Sequence, residues 1–69
     1  MNFTTFFSLS KMTRKEFAKK IGVHPATLNR YEKNIVQPSA SVAKKIIEES
    51  NKMITLDDIV EPWEKKHGI

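Results

Sequence analysis

The sequence predicts an all-α protein, a compact bundle of five helices, on three observations. None of the 69 residues lie in a segment that alternates apolar and polar side chains as a strand does, although residues 52–56 resemble a short extended piece. Ser, Thr and Pro precede several apolar stripes with helical spacing, as helix-capping residues do. The two glycines and three prolines fall where helices are expected to begin or end. A chain of this length forms one small domain.

The first two helices are predicted from apolar spacing and caps. Residues 3–9 place three aromatic side chains at i, i+3 and i+4, and a strand is the competing interpretation because Phe and Thr are mediocre helix formers. We expect these three in the core or on a dimer surface: Phe3, Phe6 and Phe7. Thr13 with Glu16 forms a capping-box pattern at the start of the second helix, and Gly22 ends it. Its apolar stripe comprises Phe17, Ala18 and Ile21.

The third and fourth helices follow after short connections. Pro25 opens the third helix, since its missing N–H is unpaired at a helix start anyway, and Leu28 and Tyr31 are expected to face inward. Ser39 or Ser41 caps a fourth helix that runs to about residue 50. The apolar positions of that fourth helix are Val42, Ala43, Ile46 and Ile47.

A short fifth helix is predicted over residues 56–60. Thr55 and Asp58 repeat the capping-box pattern, and Pro62 is expected to stop the helix. Its inward residues are expected to be Leu56, Ile59 and Val60. The sequence therefore predicts one domain over residues 1–62 and a C-terminal tail over 63–69, in which Trp63 serves either as a lid on the core or in self-association.

The second and third helices have the spacing of a helix-turn-helix. A turn of about three residues that contains a glycine joins them. A small side chain at Ala18 lets the helices approach closely, and Gly22 permits the turn. Val23, Leu28 and Tyr31 anchor the third helix on the second and on the core.

The string EFAKKIGVHPATLNRYEKN, residues 16–34, resembles the helix-turn-helix of the phage Cro and lambda-type repressor family. The following stretch, QPSASVAKKIIEESNKMITLDDIV, resembles the later helices of small Cro-like regulators, so that the likeness covers residues 13–60. The signature positions that match are Ala18, Gly22, Val23, Leu28 and Tyr31. The resemblance implies a lambda-repressor-like DNA-binding domain, which acts as a phage or prophage repressor on operator DNA.

The charge distribution favours an acidic partner. Twelve Lys and Arg residues stand against eight Asp and Glu residues, for a net charge of +4. Residues 1–52 carry a net +6 and residues 53–69 a net −2. Charge alone is equally compatible with solvated helix faces, and the helix-turn-helix supplies the structural context for a binding face.

The resemblance implies that the outward face of the third helix reads bases in the major groove. Asn29 can pair with adenine, Arg30 with guanine, and Ala26 and Thr27 can contact a thymine methyl. His24 is either an exposed helix cap or a reader. The expected base-reading residues are His24, Pro25, Ala26, Thr27, Asn29 and Arg30.

A second set of residues is expected to contact DNA phosphates and so to position the protein. The free N–H groups and positive dipole end of the second helix also favour phosphate. The expected phosphate-contacting residues are Arg14, Lys15, Lys33, Asn34 and Lys44.

Other function classes are disfavoured by the residue inventory. The chain has no cysteine, its two histidines, His24 and His67, are far apart, and it has no Gly-rich phosphate loop. We therefore expect no enzyme, no catalytic residues, no metal or other cofactor and no small-molecule substrate. The longest uncharged stretch, residues 1–10, is too short to span a membrane, so we expect a cytoplasmic protein of a bacterial or phage-infected cell.

One such domain makes few DNA contacts, so we expect a homodimer on a pseudo-palindromic double-stranded operator. Two alternatives stay open. The first is a protein-interaction module, such as an antitoxin or adaptor, built on the same bundle. The second is architectural DNA binding without sequence preference.

Overall fold

The computed structural model describes residues 1–68 of the chain, with all of their side chains except that of His67. These residues form five α-helices and contain no strand, so the predicted all-α, five-helix fold is confirmed. Residues 52–56 are not extended as a strand either. The helices are α1 (Phe3–Leu9), α2 (Arg14–Ile21), α3 (Pro25–Glu32), α4 (Ala40–Glu49) and α5 (Leu56–His67).

One apolar core joins all five helices. Helix α2 packs against both α3 and α4, and α4 packs against α5. The phenyl rings of Phe6, Phe7 and Phe17 meet with centroids 5.3 to 5.5 Å apart, and this contact fastens α1 to α2. Residues 3–9 are thus a helix held by aromatic packing, and the strand alternative is wrong. The buried core comprises Phe3, Phe6, Phe17, Ala18, Ile21, Leu28, Tyr31, Ala43, Ile46, Ile54 and Ile59.

Side-chain caps begin the helices largely where the sequence places them. Thr13 Oγ1 accepts the N–H of Glu16 at 3.1 Å, but the return bond of the predicted capping box does not form between these two residues. Ser39, rather than Ser41, is the N-cap of α4. The box at Thr55 and Asp58 is complete, with bonds in both directions.

The predicted end of α5 at Pro62 is wrong. The helix continues through Pro62 to His67, and Gly68 ends it in a left-handed conformation with its N–H donating to the Glu64 carbonyl. A proline inside a helix removes one backbone bond. Helix α5 continues past it because contacts hold residues on both sides, and in the second half Lys66 donates to the Lys33 carbonyl. Here the capping box and buried Ile59 hold the first half.

The inward face of α5 also differs from the prediction. Leu56 is 55% exposed and Val60 is half-buried, so that Ile59 alone of the three predicted positions lies in the core. Trp63 is half-buried on the helix. Helix α5 continues through the predicted boundary at residue 62. The division into a domain of residues 1–62 and a tail of 63–69 stays a prediction.

A buried hydroxyl closes the connection between α4 and α5. Ser50 Oγ donates to the Ile47 carbonyl at 3.0 Å and accepts the N–H of Ile54 at 3.1 Å. Asn51 and Lys52 then turn the chain in the left-handed region, with φ of 54° and 64°. These contacts place Ile54 in the core. No helix within residues 1–68 is long and apolar enough to cross a membrane.

Replacement of Leu28 by Ala is expected to unfold a large fraction of the protein. The side chain has no exposed surface, and truncation of a buried leucine costs about 2–5 kcal/mol. The total stability of a chain of this size is roughly 3–10 kcal/mol. Urea unfolding followed by circular dichroism measures the loss. The matched control Leu9→Ala, at a position 71% exposed, should change stability by less than about 0.5 kcal/mol; equal losses would contradict this packing.

Asp58 is expected to make the stability depend on pH. Partial burial raises the pKa of this carboxyl, but bonds from the Met1 ammonium and from the N–H and hydroxyl of Thr55 outweigh burial and hold the pKa below its ordinary value of 3.8. Because the pKa is lower in the folded state, the contribution is complete above the unfolded value and is lost as pH falls through the folded one. Thermal unfolding of Asp58→Asn should therefore vary less between about pH 5 and pH 2 than that of the unaltered protein. Asp57→Asn is the control, and identical profiles for all three proteins would refute this role.

Candidate nucleic-acid interface

The turn between α2 and α3 is a tight left-handed cap followed by a new helix start. Gly22 has a φ of +78°, and its N–H donates to the Lys19 carbonyl at 3.2 Å. The N–H of Val23 donates to the Ala18 carbonyl at 2.9 Å, which completes a Schellman motif. Pro25 then opens α3. The predicted helix-turn-helix is therefore present, with α3 beginning three residues after Gly22.

Two buried side chains fix which face of α3 is turned outward. Leu28 has no exposed surface and Tyr31 is 8% exposed, so both face inward as predicted. Burial raises the pKa of the Tyr31 hydroxyl, which stays neutral at physiological pH. Asn29 and Arg30, which follow Leu28 directly, are exposed. Helix α3 thus presents an amide and a guanidinium to solvent above a packed underside.

The other candidate base-reading residues lie around the start of α3. His24, Pro25 and Ala26 are exposed, and Thr27 is half-buried. His24 is the N-cap of α3, and its Nδ1 accepts the N–H of Ala26 at 3.1 Å. This geometry leaves the ring proton on Nε2, which remains a donor. The capping role of His24 is confirmed, and its role as a reader stays a prediction.

The candidate phosphate-contacting residues fall into different surroundings. Arg14, Lys15 and Lys33 are exposed around the two helices, and Asn34 is half-buried with a φ of 59°. Lys44 lines an apolar groove on α4, which none of the other four candidates lines. The Nζ atom of the adjacent Lys45 lies 4.0 Å from the position that a Cβ would take at Gly22.

Lys45 is therefore next to the turn, and both Lys45 and its neighbour Lys44 stay candidates for phosphate contact. The two lysines are adjacent in sequence and point to different parts of the surface, the groove and the turn. The helical spacing of α4 alone does not show which lysine meets the turn, because that depends on how α4 packs on α2.

Arg14 is held by an ion pair that the sequence did not predict. Its Nε donates to Glu32 Oε1 at 2.6 Å, and its Nη2 donates to Glu32 Oε2 at 3.2 Å. Its guanidinium carbon also lies 4.8 Å from the centroid of the Phe7 ring. The bond to Glu32 raises the pKa of Arg14, which is charged in any case. The pair links the first residue of α2 to the last residue of α3.

Lys66 is a second basic residue that the sequence did not single out. Its Nζ donates to the carbonyl of Lys33 at 2.9 Å, at the C-terminal end of α3. A cation there is favourable to the dipole of α3. Because the fifth helix was expected to stop at Pro62, Lys66 was expected in a tail, whose position relative to α3 could not be predicted. Among the described side chains, no group of three or more acidic or His residues has the arrangement of a metal site.

Replacement of Gly22 by Ala is expected to weaken the turn by backbone strain alone. A Cβ at this position would meet only Lys45 Nζ at 4.0 Å, so there is room for it. The left-handed conformation costs an L-residue about 1–2 kcal/mol. Urea unfolding should show a loss of that size for Gly22→Ala and a smaller loss for Gly22→Asn, because asparagine tolerates this region better. Unchanged stability of the alanine variant would argue against the left-handed turn.

The comparison with known protein families identifies the same element. A helix-turn-helix family model matches residues 9–51, more than half of the chain, from the end of α1 through α4. No curated protein and no solved structure matches the chain. Proteins of this regulatory family are typically not enzymes. The chain belongs to the helix-turn-helix family of the Cro/C1 type and is a DNA-binding transcription regulator.

Proposed function

We propose that the protein is a sequence-specific repressor that binds operator DNA as a homodimer, with α3 in the major groove. The observation that carries this proposal is the division of α3 into a buried underside, Leu28 and Tyr31, and an exposed face with Asn29 and Arg30. A recognition helix needs this division, because its base-reading side chains must reach outward from a helix that does not move.

The exposed face of α3 supplies the chemistry of base readout. Asn29 can donate and accept at the N6 and N7 positions of adenine, and Arg30 can donate twice to O6 and N7 of guanine. Ala26 and Thr27 offer apolar contact to a thymine methyl, as does Pro25. His24 offers its Nε2 proton to a base or phosphate acceptor. The first turn of α3 would therefore lie closest to the base edges.

Basic residues around α2 and α3 supply the contacts to phosphate. Lys15 lies beside the start of α2, where free N–H groups also favour an anion, and Lys33 and Asn34 follow the end of α3. Lys44 is a further candidate from the sequence, and Lys66 joins the group through its position beside Lys33. Residues 1–52, with a net charge of +6, carry most of this basic surface.

The dimensions of one copy suit a paired arrangement on DNA. The Cα trace extends 33 × 21 × 19 Å. Half-sites of a helix-turn-helix dimer are about 34–36 Å apart, one turn of the double helix. Two copies fit side by side on one face of a pseudo-palindrome when their shorter axes, 21 and 19 Å, lie along the DNA. Occupation of an operator in this way would block transcription, as a phage or prophage Cro-type repressor does in the cytoplasm of a bacterial cell.

Selection of bound sites from a random DNA pool tests the proposal, because it reports sequence preference, symmetry and spacing together. Titrations on a selected site then compare variants. Arg30→Ala should weaken binding by about 1–3 kcal/mol, roughly 5- to 150-fold, and relax the preference at one base pair. The matched control Lys52→Gln, which removes a charge from the turn between α4 and α5, should keep the same preference.

The alternative functions predict different outcomes of these experiments. Recovery of no preferred sequence, with binding that still weakens steeply as salt rises, would indicate architectural binding. If the double variant Asn29→Ala with Arg30→Ala bound the selected site as tightly as the unaltered protein, α3 would not be the reading helix. Failure of the unaltered protein to bind any DNA would instead favour a protein-interaction module such as an antitoxin or adaptor, and the double variant should leave the binding of such a protein partner intact.

A further inference from the structure

We propose that Glu32 withholds Arg14 from the DNA backbone and so limits the affinity of the protein for DNA of any sequence. This inference rests on the proposed function and concerns the same interface. It replaces the expectation that Arg14 contacts phosphate with a different role, in which Arg14 joins α2 to α3. Glu32 is then a positioning residue, which acts on DNA binding through Arg14.

The geometry of the pair shows why Arg14 is engaged. Glu32 accepts hydrogen bonds from Nε and Nη2 of Arg14, with nitrogen–oxygen distances of 2.6 and 3.2 Å and one carboxylate oxygen for each nitrogen. A two-pronged bond of this kind between planar groups is stronger and more directional than a single contact. The Phe7 ring, 4.8 Å from the guanidinium carbon, supports the group from α1. Arg14 is thus positioned by residues from two neighbouring helices.

The unequal exposure of the two partners opposes release of Arg14. The side chain of Glu32 is 11% exposed, whereas that of Arg14 is 48% exposed. If Arg14 turned to a phosphate, the carboxylate of Glu32 would stay in this poorly solvated position without its cation. An unpaired charge in such a position is unfavourable. The phosphate would therefore have to compete with a charge-assisted pair that is already formed.

Because Arg14 is engaged by Glu32, we expect the protein to make one phosphate contact fewer than the number of basic residues around α2 and α3 suggests. Each neutralised phosphate steepens the dependence of log affinity on log salt by about 0.9. Contacts to phosphate carry no sequence information, so a withheld arginine lowers binding to all duplexes alike. Glu32 would thus keep binding to non-operator DNA weak, while Lys15 and Lys33 remain available for positioning.

Anisotropy titrations of a labelled random-sequence duplex at several salt concentrations test this inference. Glu32→Gln should free Arg14 and steepen the salt dependence by about 0.9. Arg14→Gln should leave the slope of the unaltered protein unchanged, and the double variant should also have that slope. Glu48→Gln is the matched control, since it removes the same charge from exposed Glu48 on α4 and should not steepen the slope.

Measurement on the unaltered protein avoids dependence on the folding of the variants. The Arg14 Nε–H nuclear magnetic resonance signal should keep its chemical shift when duplex is added, because its bond to Glu32 persists. Circular dichroism checks that each variant is folded before its slope is compared.

The possible results separate the inference from the proposed function. A loss of about 0.9 in the slope of Arg14→Gln, equal slopes for Glu32→Gln and Glu48→Gln, or a large shift of the Arg14 signal on DNA would overturn the inference alone. Absence of DNA binding by the unaltered protein would overturn the proposed function, and the inference with it.

Discussion

The close packing of α3 on α2 is the constraint on which the rest of the structure depends. Ala18 and Leu28 have no exposed surface, and the Schellman motif at Gly22 turns the chain between them. A larger side chain at position 18 would separate the helices, and an L-residue at position 22 would strain the turn between them. Because α3 is held from below, the exposed face of the helix has one defined direction, and this is what a reading surface requires.

Polar contacts at both ends of α3 reinforce this packing. His24 caps the first turn through its Nδ1, and Lys66 donates to the carbonyl of Lys33 at the other end. The pair of Arg14 and Glu32 then joins the end of α3 to the start of α2. In a small domain, where burial alone gives modest stability, such contacts also determine the orientation of the helix. They connect the core to the surface that we propose contacts DNA.

The sequence predicted the elements whose signals are local. The turn glycine, Pro25 and the caps Thr13, Ser39 and Thr55 each act within a few residues of their own position, so the helix starts followed from the sequence. The inward faces of α2 and α3 followed from their apolar spacing in the same way, whereas on α4 only Ala43 and Ile46 are buried and Val42 and Ile47 are half-buried against the core.

The features that the sequence did not predict depend on contacts between distant residues. Arg14 and Glu32 are 18 residues apart, and Lys66 and Lys33 are 33 apart, so neither pair has a local pattern. The continuation of α5 beyond Pro62 has the same origin, because a local rule for proline does not include the anchors on either side. Leu56, which is 55% exposed at the first position of α5, likewise could not be placed from apolar spacing alone.

The most direct test of the account is a titration of the ¹⁵N-labelled protein with duplex DNA, followed by amide chemical shifts. The account predicts that the largest shifts fall on residues 26–30 of α3 and on the first turn of α2 around Lys15. The core amides should shift little, since the bundle binds as a rigid body. Shifts concentrated on α1 or on the C-terminal half of α5, with the amides of α3 unaffected, would contradict the claim that α3 is the recognition helix.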